Sequence, residues 1–74
     1  MARDITLEVI QHLGVLSTDG RFSKEANIVS WNGGEPVLDI RTWDTVFNRS
    51  LKGVTIKLHE IAPLVEALRT LEQD

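Results

Sequence analysis

The residues best suited to chemistry in this sequence lie in the stretch VLDIRTWD, residues 37–44. As a β-strand, this stretch alternates and places Leu38 on one face and Asp39, Arg41 and Trp43 on the other. A guanidinium pairs with phosphate and an indole stacks on planar rings, so this face suits an anionic, aromatic ligand. The carboxylate of Asp39 would repel phosphate, and we interpret it as holding Arg41 or another cation in place.

Other basic and aromatic residues lie on neighbouring predicted strands. Phe22 and Lys24 share a face of the second strand, and Lys57 lies on the polar side of the fourth. Single-stranded nucleic acid fits such residues, because every base can stack on an exposed ring at about 1–3 kcal/mol per base while cations follow the phosphates. The pattern is less typical of duplex recognition, where a helix or ribbon projects polar groups into the major groove. Trp31 has two interpretations, a ring at the core edge or a binding ring.

The patterns typical of enzymes are missing from the sequence. The glycines of NGGEP, residues 32–36, precede a predicted strand rather than the helix of a phosphate-binding loop. Asp39 and Asp44 are too far apart on an extended strand, at about 3.3 Å per residue, for a catalytic carboxylate pair. There is no cysteine, and His12 and His59 have no partner at a ligand-like spacing. We therefore expect a protein that is not an enzyme and has no metal or cofactor.

Length and charge narrow the class of protein further. The chain has 74 residues, enough for one domain, and a chain this short buries only about 60% of its unfolded surface, which favours dimerisation. Net charge is -3, yet residues 21–57 carry six cations against four acids. The centre of the chain is thus the place for an anionic partner, although ordinary mixed surface charge accounts for the same counts. With no signal peptide or long apolar run, we expect a cytoplasmic protein outside the membrane.

The order of predicted elements is four strands and then a helix. TDG and NGGEP predict tight turns, and the first strand is expected to bend or bulge near Gly14. Pro63 suits the first turn of a helix, and His59 is expected near its cap. These patterns predict an α+β fold whose antiparallel sheet spans about 5–58, with one face covered, and whose helix spans about 59–72. The predicted segments are strands at 5–17, 21–32, 37–44 and 54–58, a loop at 44–53 and a helix from 59.

The predicted helix has an apolar stripe at three- and four-residue steps. About 14 helical residues are about 21 Å long, too short to cover a four-stranded sheet alone. We therefore expect the stripe to face a second copy of the chain. Its residues are Ile61, Leu64, Val65, Leu68 and Leu71.

Two segments in order, VSWNGGEPVLDIRTW and LKGVTIKL before the helix, resemble the positive cofactor 4 type of transcriptional coactivator domain, and most closely its small bacterial members. The resemblance covers the chain from about residue 5 to its end. It implies a strongly bent four-stranded sheet followed by a helix, with two chains joined through their helices. In that family the concave sheet faces bind single-stranded DNA with little sequence preference.

The resemblance also implies roles for individual residues. Arg41 matches the family's strand arginine, Trp43 the aromatic after it, and Lys52 the lysine before a strand glycine. Phe22 and Lys24 match an aromatic and a lysine of the first hairpin in bacterial members. The NGGE turn lacks the cation of eukaryotic members, so we expect weaker binding and a shallower salt dependence. All predicted nucleic-acid contacts are Arg21, Phe22, Lys24, Trp31, Arg41, Trp43, Arg49, Lys52 and Lys57.

Residues and resemblance together predict a homodimer that binds single-stranded DNA, associated with the nucleoid during transcription, replication or repair. Single-stranded RNA is an alternative ligand, because stacking does not sense the 2′-hydroxyl. A second alternative is a transcription-associated module that docks a protein partner, which the acidic net charge favours.

Overall fold

Alternating strands and short turns build a four-stranded antiparallel sheet in the order β1-β2-β3-β4, followed by one helix. The computed structural model describes residues 7–72. The predicted β-β-β-β-α order is confirmed, and the start of the first strand at residues 5 and 6 lies outside the described residues. The elements are β1 (Leu7–Asp19), β2 (Phe22–Trp31), β3 (Val37–Asp44), β4 (Arg49–Lys57) and α1 (Ile61–Arg69), with short 3-10 turns at Leu58–Glu60 and Thr70–Glu72.

The two predicted tight turns are confirmed. Asp19 pairs with Phe22, so only two residues join β1 to β2, and Gly20 takes a φ of 61° there. In the turn after β2, Asn32 and Gly33 have φ values of 52° and 76°. Glycine and asparagine adopt this left-handed region at the smallest cost, which explains their positions.

The fourth strand begins earlier than the sequence predicted. A loop was expected over 44–53, but β4 starts at Arg49 and pairs with Asp44 directly across a four-residue loop. The carboxylate of Asp44 accepts backbone N–H groups of this loop, and Asn48 closes it with a φ of 54°. Side-chain capping by aspartate was not visible in the apolar pattern. Arg49 and Lys52 therefore lie on a strand rather than in a loop.

β1 is bulged three times along β2. Its pairing shifts between Val9 and Gln11, between His12 and Gly14, and between Val15 and Ser17. The bulge expected near Gly14 is confirmed, and two more accompany it. Bulges bend a strand and increase its twist, so β1 follows a curved path along the sheet. The extra residues are all apolar: Ile10, Leu13 and Leu16.

The pairing of β2 with β3 is regular and confirms the predicted alternation. Directly paired residues of antiparallel strands point to the same side. One side, which we call the polar face, carries Trp31, Asn27, Asp39, Arg41 and Trp43, with Lys57 on β4. The other side, which we call the apolar face, carries Ala26, Ile28, Leu38, Ile40, Val54 and Ile56.

Burial does not follow polarity in this sheet. On the polar face, Asp39 is fully buried and bonded to Arg41, and Asn27 is 2% exposed and bonded to His12. On the apolar face, Val54 is 53% exposed, and Ile10 at a β1 bulge is 50% exposed. The side predicted to face water is thus the better shielded one within a single chain.

The helix does not cover the sheet as expected. No residue of α1 is buried, and Leu68 is 50% exposed. Lys57 donates its N–H to Glu60 Oε1 (2.9 Å), which sets the start of the helical segment, and His59 lies in this first turn as predicted. Within residues 7–72, no helix has the length and apolar character needed to cross a membrane.

Gly53 brings β4 close to β3, which yields a stability prediction. A Cβ at this position would lie 2.6 Å from the carbonyl oxygen of Ile40 and 2.7 Å from Cβ of Arg41. Backbone cannot yield cheaply, so we expect Gly53→Ala to lower the free energy of unfolding by about 1–3 kcal/mol in urea titration. Gly14→Ala, where a Cβ meets nothing within 4 Å, is the control and should change it by about 0.5 kcal/mol or less. Equal stability of the two variants would contradict the close approach.

Candidate nucleic-acid interface

An ion pair between Arg41 and Asp39 occupies the centre of the polar face. Arg41 Nε lies 3.0 Å from Asp39 Oδ2 and Nη2 lies 2.9 Å from Oδ1, while Nη1 donates to the carbonyl of Leu51 at 2.7 Å. Three of the five guanidinium N–H donors are thus used within the chain. The expectation that Asp39 holds Arg41 in place is confirmed. The Arg41 side chain is 14% exposed, and two of its five N–H groups take no part in these contacts.

Trp31 lies over this ion pair. The guanidinium carbon of Arg41 is 5.1 Å from the centre of the indole, in the range of a cation–π contact. Trp31 is half-buried. The ring thus contacts Arg41 and keeps some exposed area, and the interpretation of Trp31 as a binding ring stays a prediction.

A second polar pair extends the face toward β1. Asn27 lies opposite Asp39 in the ladder, and its side chain is buried. His12 Nδ1 lies 2.7 Å from Asn27 Oδ1, an arrangement in which the ring N–H donates to the amide carbonyl. This pairing fixes His12 as a structural partner of Asn27. No local sequence pattern indicated this contact, because the two residues are 15 positions apart.

Trp43 lies near the other end of the polar face. It is opposite Ser23 and Ser50, whose small side chains leave room for the indole, and it is half-buried. Its Nε1 is buried, and no residue in the described part of the chain accepts a hydrogen bond from it. An unsatisfied buried donor costs about 1–3 kcal/mol, so the position is not optimised for stability.

Asp44 joins the ends of the two hairpins. Its Oδ1 accepts the N–H groups of Val46 (3.0 Å) and Phe47 (3.1 Å), and its Oδ2 lies 3.2 Å from Nη2 of Arg21. Burial alone would raise the pKa of Asp44. The two N–H groups, together with the charges of Arg21 and Arg49, outweigh that effect and hold the pKa below its ordinary value.

The predicted contacts are divided between the two sides of the sheet. Trp31, Arg41, Trp43 and Lys57 lie on the polar face, whereas Phe22 and Lys24 pair with Asp44 and Thr42 on the opposite side. A groove on that opposite side is lined by Lys24, Thr42, Lys52 and neighbours. Arg21 and Arg49 lie at the hairpin end. The sheet itself thus separates Phe22 and Lys24 from Arg41 and Trp43, which the sequence predicted to act together.

Phe47 is a residue that the sequence analysis did not assign to the site. It is 60% exposed in the loop between β3 and β4, with the guanidinium carbons of Arg21 and Arg49 at 4.9 and 5.8 Å from its ring centre. In the sequence, an arginine two positions after this phenylalanine, in the segment FNR at 47–49, indicated an aromatic and basic pair. Its importance depends on Arg21, which only the fold brings to the ring.

The helix stripe expected at a dimer interface is largely open. Ile61 and Leu64 are half-buried, and Val65, Leu68 and Leu71 are exposed. Among the side chains of residues 7–72, no group of three or more His, Asp or Glu is placed to hold a metal ion.

Comparison with known proteins shows that the chain has a bacterial relative. The chain is 38% identical over 72 residues to an uncharacterized protein of Treponema pallidum (strain Nichols), an alignment that covers 96% of this chain and 85% of the treponemal protein. No protein-family model matches the chain.

The lowered pKa of Asp44 yields a pH prediction. Since the pKa in the folded state lies below its ordinary value of 3.8, the ionised carboxylate stabilises the fold above that pH, and this contribution is lost as pH falls through the folded-state pKa. Asp44→Asn keeps an oxygen for the two N–H groups but removes the charge. We expect it to unfold at lower urea concentration than the wild type at pH 7, with the difference shrinking below pH 3.8.

The exposed Asp19 of the neighbouring hairpin supplies the control for this experiment, as Asp19→Asn. A stability difference for Asp44→Asn that stays constant from pH 7 to acid would show that its charge has no part in joining the hairpins. An NMR titration of the Asp44 side-chain carboxyl provides the direct check, with a midpoint below 3.8 expected.

Proposed function

The chain belongs to the same family as the Treponema pallidum protein, and we propose that it binds single-stranded DNA as a homodimer with little sequence preference. Bases stack on the tryptophans of the polar face and phosphates meet its cations and those at the hairpin end. The resemblance to positive cofactor 4 type domains supports this function and a role at the nucleoid in transcription, replication or repair. The proposal includes no enzymatic step and no cofactor.

One observation carries the proposal: two tryptophans and an arginine lie on one side of a sheet that α1 leaves uncovered. Trp31 and Trp43 are at opposite ends of this face, and Arg41 lies between them. The two half-buried indoles provide separate stacking positions for two bases. The two indoles have different surroundings, since Trp31 contacts a guanidinium and Trp43 lies opposite two serines. Fluorescence from each should therefore respond differently to a bound base.

Cations on and near this face supply the electrostatic part. Lys57 is exposed on β4 of the polar face, and Arg21 and Arg49 are exposed at the hairpin end. Arg41 contributes two remaining N–H groups from a fixed position, which lowers the entropy cost of a phosphate contact. The number of phosphate contacts per chain is small, so binding should weaken with salt less steeply than for a strongly basic protein.

Phe22, Lys24 and Lys52 have a secondary part in this proposal. They lie on the opposite side of β3 from Arg41 and Trp43. A single strand stacked on the polar face does not reach them without turning around the sheet. We therefore assign them contacts with DNA beyond the stacked bases.

A second copy of the chain is the proposed partner of the helix stripe and the apolar face. The apolar residues left exposed by one chain include the β1 bulges, Val54 and the outer side of α1. Burying apolar surface stabilises by about 25 cal/mol per Å², which gives two copies a driving force for association. A homodimer also doubles the DNA contacts and raises affinity through avidity.

Titration with oligonucleotides tests the binding proposal. An oligo-dT of about 20 nucleotides should quench tryptophan fluorescence at low salt, and affinity should fall as salt rises. Trp43→Ala should weaken binding about tenfold, since one stack contributes about 1–3 kcal/mol. Trp43→Phe, which keeps a ring and removes the unpaired N–H, should bind within about threefold of the wild type and unfold at the same or higher urea concentration.

Matched ligands decide between the alternatives. Duplex DNA should bind more weakly than the single strand at the same salt, and an oligo-U of equal length measures the preference for DNA over RNA. Equal affinity for duplex and single strand, or no response to any oligonucleotide, would reject the proposal. If no oligonucleotide binds, capture of a defined transcription protein would favour protein docking through the same surfaces.

Sedimentation tests the dimer. The wild type should sediment with twice the chain mass, and Leu68→Glu should sediment as a monomer, because it places a charge in the exposed stripe. Thr70→Glu adds the same charge on the opposite side of the helical segment and is the control. Monomeric wild-type protein at micromolar concentration, or a dimer that withstands Leu68→Glu, would remove the helix from the interface.

A further inference from the structure

The loop between β3 and β4 presents an aromatic ring outside the polar face. Phe47 is 60% exposed, and the guanidinium carbons of Arg21 and Arg49 lie 4.9 and 5.8 Å from its ring centre. Arg21 also lies 5.1 Å from the ring of Phe22. An exposed ring flanked by two guanidinium groups offers π-surface and positive charge at one place.

Hydrogen bonds hold the loop in this conformation. Asp44 binds the N–H groups of Val46 and Phe47 with one oxygen and lies 3.2 Å from Arg21 with the other. Thr45 donates both its N–H (2.8 Å) and its hydroxyl (2.7 Å) to the carbonyl oxygen of Arg21. The loop backbone that carries Phe47 and the guanidinium of Arg21 are therefore held before any ligand arrives, which reduces the ordering cost of binding.

The charges around the ring favour an anionic ligand. Asp44 is 1% exposed, and its charge is already opposed by Arg21. Asp19 lines a groove together with Lys24, which offsets it. Arg21 has a 42% exposed side chain, and Arg49 is exposed. The surface at Phe47 thus has cations that a phosphate can reach, while the nearest carboxylate is buried.

We propose that Phe47, Arg21 and Arg49 form a nucleotide subsite that takes one unpaired nucleotide of a bound single strand. The base stacks on Phe47 and its phosphate meets the two guanidinium groups. This inference rests on the proposed function. Trp43 pairs with Ser50, one position from the Asp44 and Arg49 pair that closes the hairpin, so a strand that leaves Trp43 and turns around the end of the sheet passes the loop that carries Phe47.

Fluorescence anisotropy with a labelled oligo-dT of about 20 nucleotides tests the subsite. Phe47→Ala should weaken binding about tenfold. Val46→Ala removes an equally exposed apolar side chain from the same loop and should stay within about twofold. Phe47→Trp should restore affinity and add to the total fluorescence quenching. Arg49→Gln should reduce the slope of log affinity against log salt by about one phosphate contact.

The outcomes separate the subsite from the proposed function. If the wild type binds and Phe47→Ala matches Val46→Ala, the subsite is rejected while DNA binding on the polar face stands. If the wild type binds no oligonucleotide, both are rejected. Urea unfolding checks that each variant is folded; should Phe47→Ala fail to fold, Phe47→Trp decides, because an added indole that shows no extra quenching overturns the subsite.

Discussion

The buried ion pair of Asp39 and Arg41 is the interaction on which the polar face depends. A buried carboxylate without a partner is strongly unfavourable, and breaking such a pair typically costs about 3–5 kcal/mol. Asp39 is fully buried, and the guanidinium of Arg41 reaches it, the carbonyl of Leu51 on β4 and the ring of Trp31. The pair thereby joins β3 to β4 and holds Trp31 on the face where we propose that bases stack. Stability and the proposed ligand surface share the same residues.

The polar face is well shielded within one chain, whereas the apolar face is not. On the polar face, Arg41 lies against the buried Asp39, whereas the centre of the apolar face is aliphatic and no residue of α1 is buried against it. A single chain therefore leaves much of its apolar surface exposed, including all three bulge residues of β1. Exposed apolar surface of this extent is typical of a protein that associates. The proposed dimer accounts for it without covering the tryptophans.

Asp44 has the same role at the hairpin end as Asp39 has at the centre of the polar face. Each is a buried carboxylate that positions an arginine against an aromatic ring, Arg41 on Trp31 and Arg21 on Phe47. The difference lies in exposure, since Arg21 remains accessible and Arg41 is largely covered. The two similar units thus hold one arginine that is largely covered and one that is more accessible.

The sequence by itself determined the strand order, the tight turns, the helix position and the side of β3 on which Arg41 and Trp43 lie, because these follow from local periodicity and turn residues. It also indicated that Asp39 serves Arg41, since the two are neighbours on one face. Only the tertiary structure decided that Phe22 and Lys24 lie on the opposite side from Trp43, and that Phe47 meets Arg21. Those relations depend on the register between strands and on an aspartate that closes a loop, and neither is encoded in the spacing of apolar residues along one strand.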